Sequence, residues 1–364
     1  MSTPWILQPM TMRGITARNR LWLPPMCMYC VEAADGVPTD WHAVHYATRA
    51  QGGFGTIIVE ATAVTPEGRL SPMDLGLWED AQVEGHRRLV EAIRAGGSIP
   101  GIQLGHGGRK SGTPPMRPRV PGARQGTLEG WELWAPSPVA FPGHAVPTEL
   151  DVAGIDRLVE AFAAAARRAV EAGYEVIELH GAHGYLIHEF LSPLSNRRGD
   201  GYGGDAQGRR RFPLRVVEAV REAIGEGTVL DIRLSATDWD EAGLSGQETA
   251  EFAQELVGAG VDVLHISSGG NVPADIPVGP GYQLGLAAQV RQAVAGGAQV
   301  VGVGLIEDAS QAEQALATGQ ADAIAVGRAA LRDPYLPLRW AADLGAKAWD
   351  EAPWPIQYWR ATWR

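Results

Sequence analysis

The chain has 364 residues, 45% apolar and 20% charged, with 31 basic against 42 acidic side chains and a net charge of −11. This composition supports a sizeable core and excludes wholesale disorder, while the acidic balance argues against a nucleic-acid partner, since phosphate binding needs a basic face. No apolar run approaches the roughly 18 residues of a membrane span. The start of the chain lacks a secretory-signal pattern, and its two cysteines fit a reducing cytoplasm rather than a disulfide framework.

Eight short, mostly apolar runs follow in chain order: Asn19 to Leu23, Thr56 to Ala61, Ile99 to Leu104, Glu175 to Leu179, Val229 to Leu234, Val261 to Ile266, Gln299 to Val303 and Ala323 to Val326. They read as strands buried on both faces. Amphipathic segments lie between them, over Ala81 to Ala95, Val152 to Ala172, Arg209 to Ile224, Gly246 to Ala259, Leu286 to Ala295 and Ser310 to Thr318. Gly96, Gly173, Gly260 and Gly319 follow such segments, where a left-handed C-terminal cap favours glycine. The alternation predicts an α/β fold, a (β/α)8 TIM barrel forming one domain over residues 1–364. An open doubly wound sheet is the alternative, which no early strand–GxGxxG–helix unit supports. Gly107 to Pro147 breaks the rhythm with eight prolines. It is too long for an ordinary βα loop and is expected as a lid-like excursion at the barrel's C-terminal face.

Barrel enzymes work at the C-terminal ends of their strands. There the first run ends in Pro24-Pro25-Met26-Cys27-Met28-Tyr29-Cys30, and the third in Gln103, His106 and Arg109-Lys110. The fourth ends in His180-Gly181-Ala182-His183-Gly184-Tyr185, the seventh in Gly302-Val303-Gly304 and the eighth in Gly327-Arg328. Glycines after the last two strands let backbone amides approach an anion, and Arg328 adds a bidentate charge. A phosphorylated ligand is one reading; strand termination and a helix cap are the other. Arg233, between Ile232 and Leu234, needs an anionic or electron-rich partner, and Glu60, Glu178 or Asp231 inside the barrel would also serve. His180 and His183 admit three readings: a metal site with Glu178, His188 or Glu189; two satisfied loop histidines; or two donors aimed at one substrate oxygen, with Tyr185 as proton donor. Cys27 and Cys30 form a lone CxxC that neither completes a zinc site nor opens a helix, which leaves a single functional thiol at Cys27.

Three stretches in order, PPMCMY at Pro24 to Tyr29, HGAHGYLIHEFLSPLSNRR at His180 to Arg198 and QYWRATW at Gln357 to Trp363, carry a resemblance over nearly the whole chain. The sequence resembles the Old Yellow Enzyme family of flavin-dependent ene-reductases, in the thermophilic-like branch that includes xenobiotic reductases. The resemblance implies non-covalent FMN at the barrel mouth. Pro25, Met26 and Cys27 would lie against the ring, Ala61 would contact it through its backbone, and Gln103 would meet the pyrimidine edge. Arg233 would sit near the N1/O2 locus, and Gly304, Gly327 and Arg328 would hold the phosphate. The implied donor is NADPH or NADH, and the implied substrates are α,β-unsaturated carbonyl compounds or other electron-poor acceptors. His180 and His183 would bind the carbonyl oxygen, Tyr185 would protonate the α carbon, Cys27 would tune the flavin, and Tyr29 would touch the substrate. Nitro compounds and nitrate esters are alternative acceptors. A metal-dependent barrel hydrolase using His180, His183 and Glu178, and a flavin binder without turnover, are alternatives of other classes.

The aromatic tail, residues 353–364, reads as an interface anchor. The resemblance implies a homodimer or homotetramer in which Trp359 and Arg360 complete the neighbouring subunit's site. Gly199 to Gly204 and Gln207 to Phe212 depart from the family's usual TDEYGG and ENRYRF patterns, which bears on local loop packing.

Overall fold

The computed structural model describes residues 3–116 and 126–363. Eight strands, β1 (Leu21–Leu23), β2 (Thr56–Ala63), β3 (Ile99–Gly105), β4 (Val176–Gly181), β5 (Val229–Ser235), β6 (Val263–Ser267), β7 (Gln299–Gly302) and β8 (Ala323–Ala325), pair in parallel with their neighbours. β1 pairs with both β2 and β8, which closes the cylinder. Seven longer helices follow β1 to β7 in turn: α1 (Asp40–Gln51), α2 (Val83–Ala95), α3 (Val152–Ala172), α4 (Ala206–Ile224), α5 (Gly246–Gly258), α6 (Leu284–Val294) and α7 (Ala309–Ala317). Two short ones, α8 (Arg328–Arg332) and α9 (Leu336–Asp343), follow β8. This is the expected (β/α)8 barrel.

Side chains alternate across a strand, and that period assigns every strand residue to one side of the cylinder. Outward residues such as Ile177, Leu179, Leu230, Ile232, Leu264 and Ile266 join the core shared with the helices. The lowest inward residues, Trp22, Ile58, Val176, Val229, Val263 and Val301, form a separate apolar cluster with Met10, Met12 and Ala17 of a hairpin that closes the floor. Two residues higher the inward positions become Glu178, Asp231 and His265, and two higher again His180, Arg233 and Ser267. The interior thus passes from a dry floor to a polar mouth.

β4 and β5 extend beyond their apolar runs to Gly181 and Ser235, because the ladder continues beneath inward-facing polar residues. Helix α1 was not among the predicted amphipathic segments, since its buried face carries His42, His45, Tyr46 and Arg49. Gly173 takes the left-handed cap at φ 100°. At the end of α2 that conformation falls on Gly97 (φ 81°), and Gly96 is right-handed, which corrects the expectation there.

The described part of the 107–147 excursion begins with a turn at Gly108–Lys110 and ends with Trp134–Ala135 paired to Thr148–Glu149; residues 117–125 lie outside the described residues. Arg109 ties its base down, donating to the carbonyls of Val139 (3.1 Å) and Asn271 (2.6 Å). No helix among the described residues is long and apolar enough to cross a membrane.

Candidate active site

A cleft of about 340 Å³ opens above the barrel mouth. Pro25, Cys27 and Tyr29 from the loop after β1, Ala61 from β2 and Gln103 from β3 form part of its lining. His180, His183 and Tyr185 from the end of β4, and Arg233 from β5, also line it, joined by Leu70 and by Met116 of the excursion.

The β4 turn is held from several sides. His183 has a left-handed backbone (φ 60°), costly for a non-glycine residue unless its surroundings enforce it. Its N–H donates to Ser235 Oγ (2.9 Å), and its carbonyl accepts from Lys110 Nζ (2.7 Å). Lys110 also donates to the Gly270 carbonyl (2.9 Å), and its ammonium lies 4.9 Å from the centre of the Tyr185 ring. A Cβ on Gly184 would stand 2.3 Å from the Gly270 carbonyl oxygen, so the two loops meet backbone to backbone.

The two imidazoles are perpendicular, with centroids 5.2 Å apart. His180 Nδ1 accepts from the Ala182 N–H (3.4 Å), which leaves Nε2–H as its donor. His183 Nε2 lies 2.8 Å from Ser267 Oγ. Gln283 Oε1 is taken more closely by Ser268 (2.7 Å) than by Ser267 (3.3 Å). Ser267 thus links His183 Nε2 to the Gln283 amide and fixes the orientation of the ring. Desolvation, then Arg233, lowers both rings, His180 to about 3. Both are neutral donors at neutral pH.

Tyr185 stacks edge-on to His180 at 4.8 Å. Desolvation, then the neighbouring Cys27 and Asp74, pushes its phenol well above the ordinary value, so it holds its proton. Cys27 is likewise raised by desolvation, then by Asp74 and Glu60, and is a thiol rather than a thiolate. Its loop is pinned where the Met28 N–H donates to Glu60 Oε2 (2.7 Å). No disulfide joins Cys27 to Cys30, whose thiol donates to the Met28 carbonyl.

Arg233 is in no direct ion-pair contact with Glu60, Glu178 or Asp231, although the Glu178 and Asp231 charges act on it from below. Its Nε is buried with no hydrogen-bond partner, and its side chain faces the cleft. Such a cation calls for an electron-rich group above it. Glu178 is engaged instead by Gln103 Nε2 (2.6 Å) and His265 Nδ1 (2.7 Å). Among the described residues Glu178 groups with Asp231 and His265 rather than with His180 and His183, so the hydrolase constellation is not assembled.

The remaining predicted residues lie around the rim or elsewhere. Met26 sits beside Gly327, its sulfur 3.5 Å from where a Cβ would be. Gly304, after β7, has φ 131° and packs against Gln283, where a Cβ would come within 3.0 Å of the amide. Arg328 is exposed at the start of α8. Trp359 and Arg360 are exposed in the turn Ile356–Ala361. Their tail borders a groove with Arg18, Gln51 and Gly97, at the opposite end of the barrel from their own cleft. Sequence reasoning missed Ser235, Ser267, Gln283 and the role of Lys110. The inward parity of Ser235 and Ser267 at strand ends was an available signal; nothing local marks the other two.

Residues 5–346 match the family of NADH:flavin oxidoreductases and NADH oxidases. The chain is 44% identical over 360 residues to an NADPH dehydrogenase of Geobacillus thermodenitrificans, covering 99% of this chain and 98% of that one. Its fold is similar to that of morphinone reductase (TM-score 0.79, 31% identity, 94% of this chain and 90% of that one). It is also similar to the old yellow enzyme homologue from Zymomonas mobilis (TM-score 0.79, 29% identity, 98% of both chains).

Proposed function

The chain belongs to the NADH:flavin oxidoreductase / NADH oxidase family, that of Old Yellow Enzyme, and on that premise we propose that it reduces the activated C=C bond of α,β-unsaturated carbonyl compounds. It is an FMN-dependent oxidoreductase with a nicotinamide donor. The residues fit FMN: a buried arginine whose Nε has no hydrogen-bond partner faces the cleft, and Gly304 and Gly327 leave bare backbone after β7 and β8, where an anion can approach the amides. Arg233, Gln103, Ala61, Pro25, Met26 and Cys27 would hold the ring system, and Gly304, Gly327 and Arg328 its phosphate. Bound FMN supplies a hydride drawn from NADPH or NADH.

The chain's own groups do the rest. His180, through Nε2–H, and His183 bind the carbonyl oxygen of the substrate. Because both rings are neutral, these bonds strengthen as the oxygen gains enolate charge, favouring the transition state over the ground state. Tyr185, kept protonated by its surroundings, delivers its proton to the α carbon. Tyr29 borders the substrate side of the cleft, and the protonated Cys27 leaves no competing anion beside the ring. The observation that carries this reading is the meeting of two neutral imidazoles and a protonated tyrosine in one cleft with a buried arginine.

The 107–147 excursion serves as a lid, with Met116 reaching the cleft. Residues 353–364 reach a second copy, since Trp359 and Arg360 are exposed and remote from their own site. One domain in a reducing cytoplasm suits this chemistry. Anaerobic reoxidation of NADPH-reduced enzyme tests the substrate class. Rapid reoxidation by 2-cyclohexenone supports it, and reoxidation by nitro compounds or nitrate esters with none by any enone contradicts it.

A further inference from the structure

A second, much smaller cavity of about 10 Å³ lies behind Tyr185. Asp74, His106, Arg69 and Tyr185 contribute to its wall, and Tyr185 also borders the substrate cleft. Its volume is about that needed for one water. Two buried polar atoms beside it have no partner, Asp74 Oδ1 and His106 Nε2; the two side chains are 1% and 3% exposed. One water oxygen, with two lone pairs, can serve both. His106 Nδ1 accepts from the Gly108 N–H (3.0 Å), so the neutral ring carries its proton on Nε2. Asp74 Oδ2 accepts from the Ser71 N–H (2.8 Å), which leaves Oδ1 for another group. Leaving either buried group without a partner is costly, and one water meets both needs.

We propose that Asp74 and His106 hold a water behind Tyr185 and that Asp74 returns a proton through it to Tyr185 after each turnover. This rests on Tyr185 being the proton donor. The groups facing Asp74 are Glu60 from β2, Cys27 and Tyr29 from the loop after β1, Arg69 from the loop after β2 and Tyr185 after β4. Glu67 acts on His106. Burial, then Glu60, raises the Asp74 carboxyl to about 8 against the pull of Arg69, so it holds a proton at neutral pH. When Tyr185 has given its phenolic proton to the α carbon, its oxyanion is the stronger base. The Asp74 O–H breaks, the water takes that proton and passes one of its own to Tyr185, and Asp74 is left as a carboxylate. One solvent proton then restores it, so each turnover consumes one proton from solvent.

The test uses the FMN-loaded enzyme, reduced anaerobically and taken through two successive turnovers with 2-cyclohexenone, while flavin and tyrosinate absorbance are followed. Asp74→Asn is expected to match the wild type in the first turnover, to leave tyrosinate behind, and to slow the second at least tenfold. His106→Leu repeats the pattern and Asp74→Glu restores turnover. Difference infrared spectra against Asp74→Asn should show a protonated carboxyl that titrates away above about pH 8. The wild-type steady-state rate should fall in the same range. Equal first and second turnovers without tyrosinate overturn the relay, as does equal slowing of both, which marks a structural role. Tyr185→Phe separates the two readings: if it leaves the first turnover unchanged, the proton-donor reading fails and the relay falls with it.

Discussion

Replacing His180 with alanine removes one of the two donors aimed at the substrate oxygen, and the structure sets the size of the effect. The Ala182 N–H occupies Nδ1, so Nε2–H is the group lost. Burial, then Arg233, holds the ring at about 3, so at pH 7 only about one molecule in 10⁴ is charged. A hydrogen bond from a neutral donor to an anionic oxygen is worth about 1.5–3 kcal/mol. At about 1.4 kcal/mol per tenfold, a phenolate ligand binds about 10- to 100-fold more weakly to His180→Ala. With His183→Ala added, the loss reaches about 10²- to 10⁴-fold if the two bonds act independently. The assay is titration of the oxidised, FMN-loaded enzyme with a para-substituted phenol, followed by its charge-transfer absorbance from pH 5 to 9. Neutral rings predict no protein-linked tightening as pH falls through about 6.5, the ordinary histidine value. A change below threefold in His180→Ala, or binding that strengthens through that range, refutes the reasoning.

Tyr185→Phe should leave reduction by NADPH intact and slow enone reduction about 10²- to 10⁴-fold; stopped-flow measurement of the two half-reactions separates them, and equal slowing of both contradicts the assignment. Lys110→Met removes the cation that bonds the His183 and Gly270 carbonyls. It should cost about 1–3 kcal/mol in urea unfolding and weaken phenol binding about tenfold as the β4 turn relaxes; unchanged phenol affinity argues that the turn holds itself. Stability should fall on acidification. His45, His86, His106 and His180 are held at about 3 to 4, chiefly by burial, and each takes up a proton near 6.5 only on unfolding. Asp74 and Glu189, raised to about 8 by burial, and Asp231, raised likewise, act in the opposite sense, but these histidines, joined by His183 and His265, outnumber the acids between about pH 6.5 and 4.5. Urea midpoints should therefore drop from pH 7 to pH 5, by up to about 1.4 kcal/mol per pH unit for each uncompensated histidine; a constant midpoint contradicts the buried neutral rings.

What the sequence revealed follows the physics of each signal. Strands buried on both faces announce themselves as apolar runs, and all eight were legible. Their ends were less so, because β4 continues through His180 and β5 through Ser235, whose polarity reflects an inward position at the mouth rather than the end of the ladder. Helix α1 escaped notice because its buried face is polar: His42, Tyr46 and the main chain at Met28 converge on Glu60, an arrangement that only tertiary contact reveals. The lining of the cleft was readable because strand period and strand order turn Gln103, His180 and Arg233 toward one mouth. Lys110, Asp74 and His106 were not, since their roles arise where loops from different strands meet. Trp359 and Arg360 show the same limit, for no local pattern tells which end of the barrel a terminal tail borders.

The most direct test of the proposed reaction follows the two hydrogens added to the double bond. An enone reduced with NADPH deuterated at the transferred position in ordinary water should carry deuterium at the β carbon alone. Reduction with unlabelled NADPH in heavy water should place deuterium at the α carbon, and Tyr185→Phe should suppress that step. Label from the nicotinamide at the α carbon, or reduced flavin that no enone reoxidises, would contradict the account.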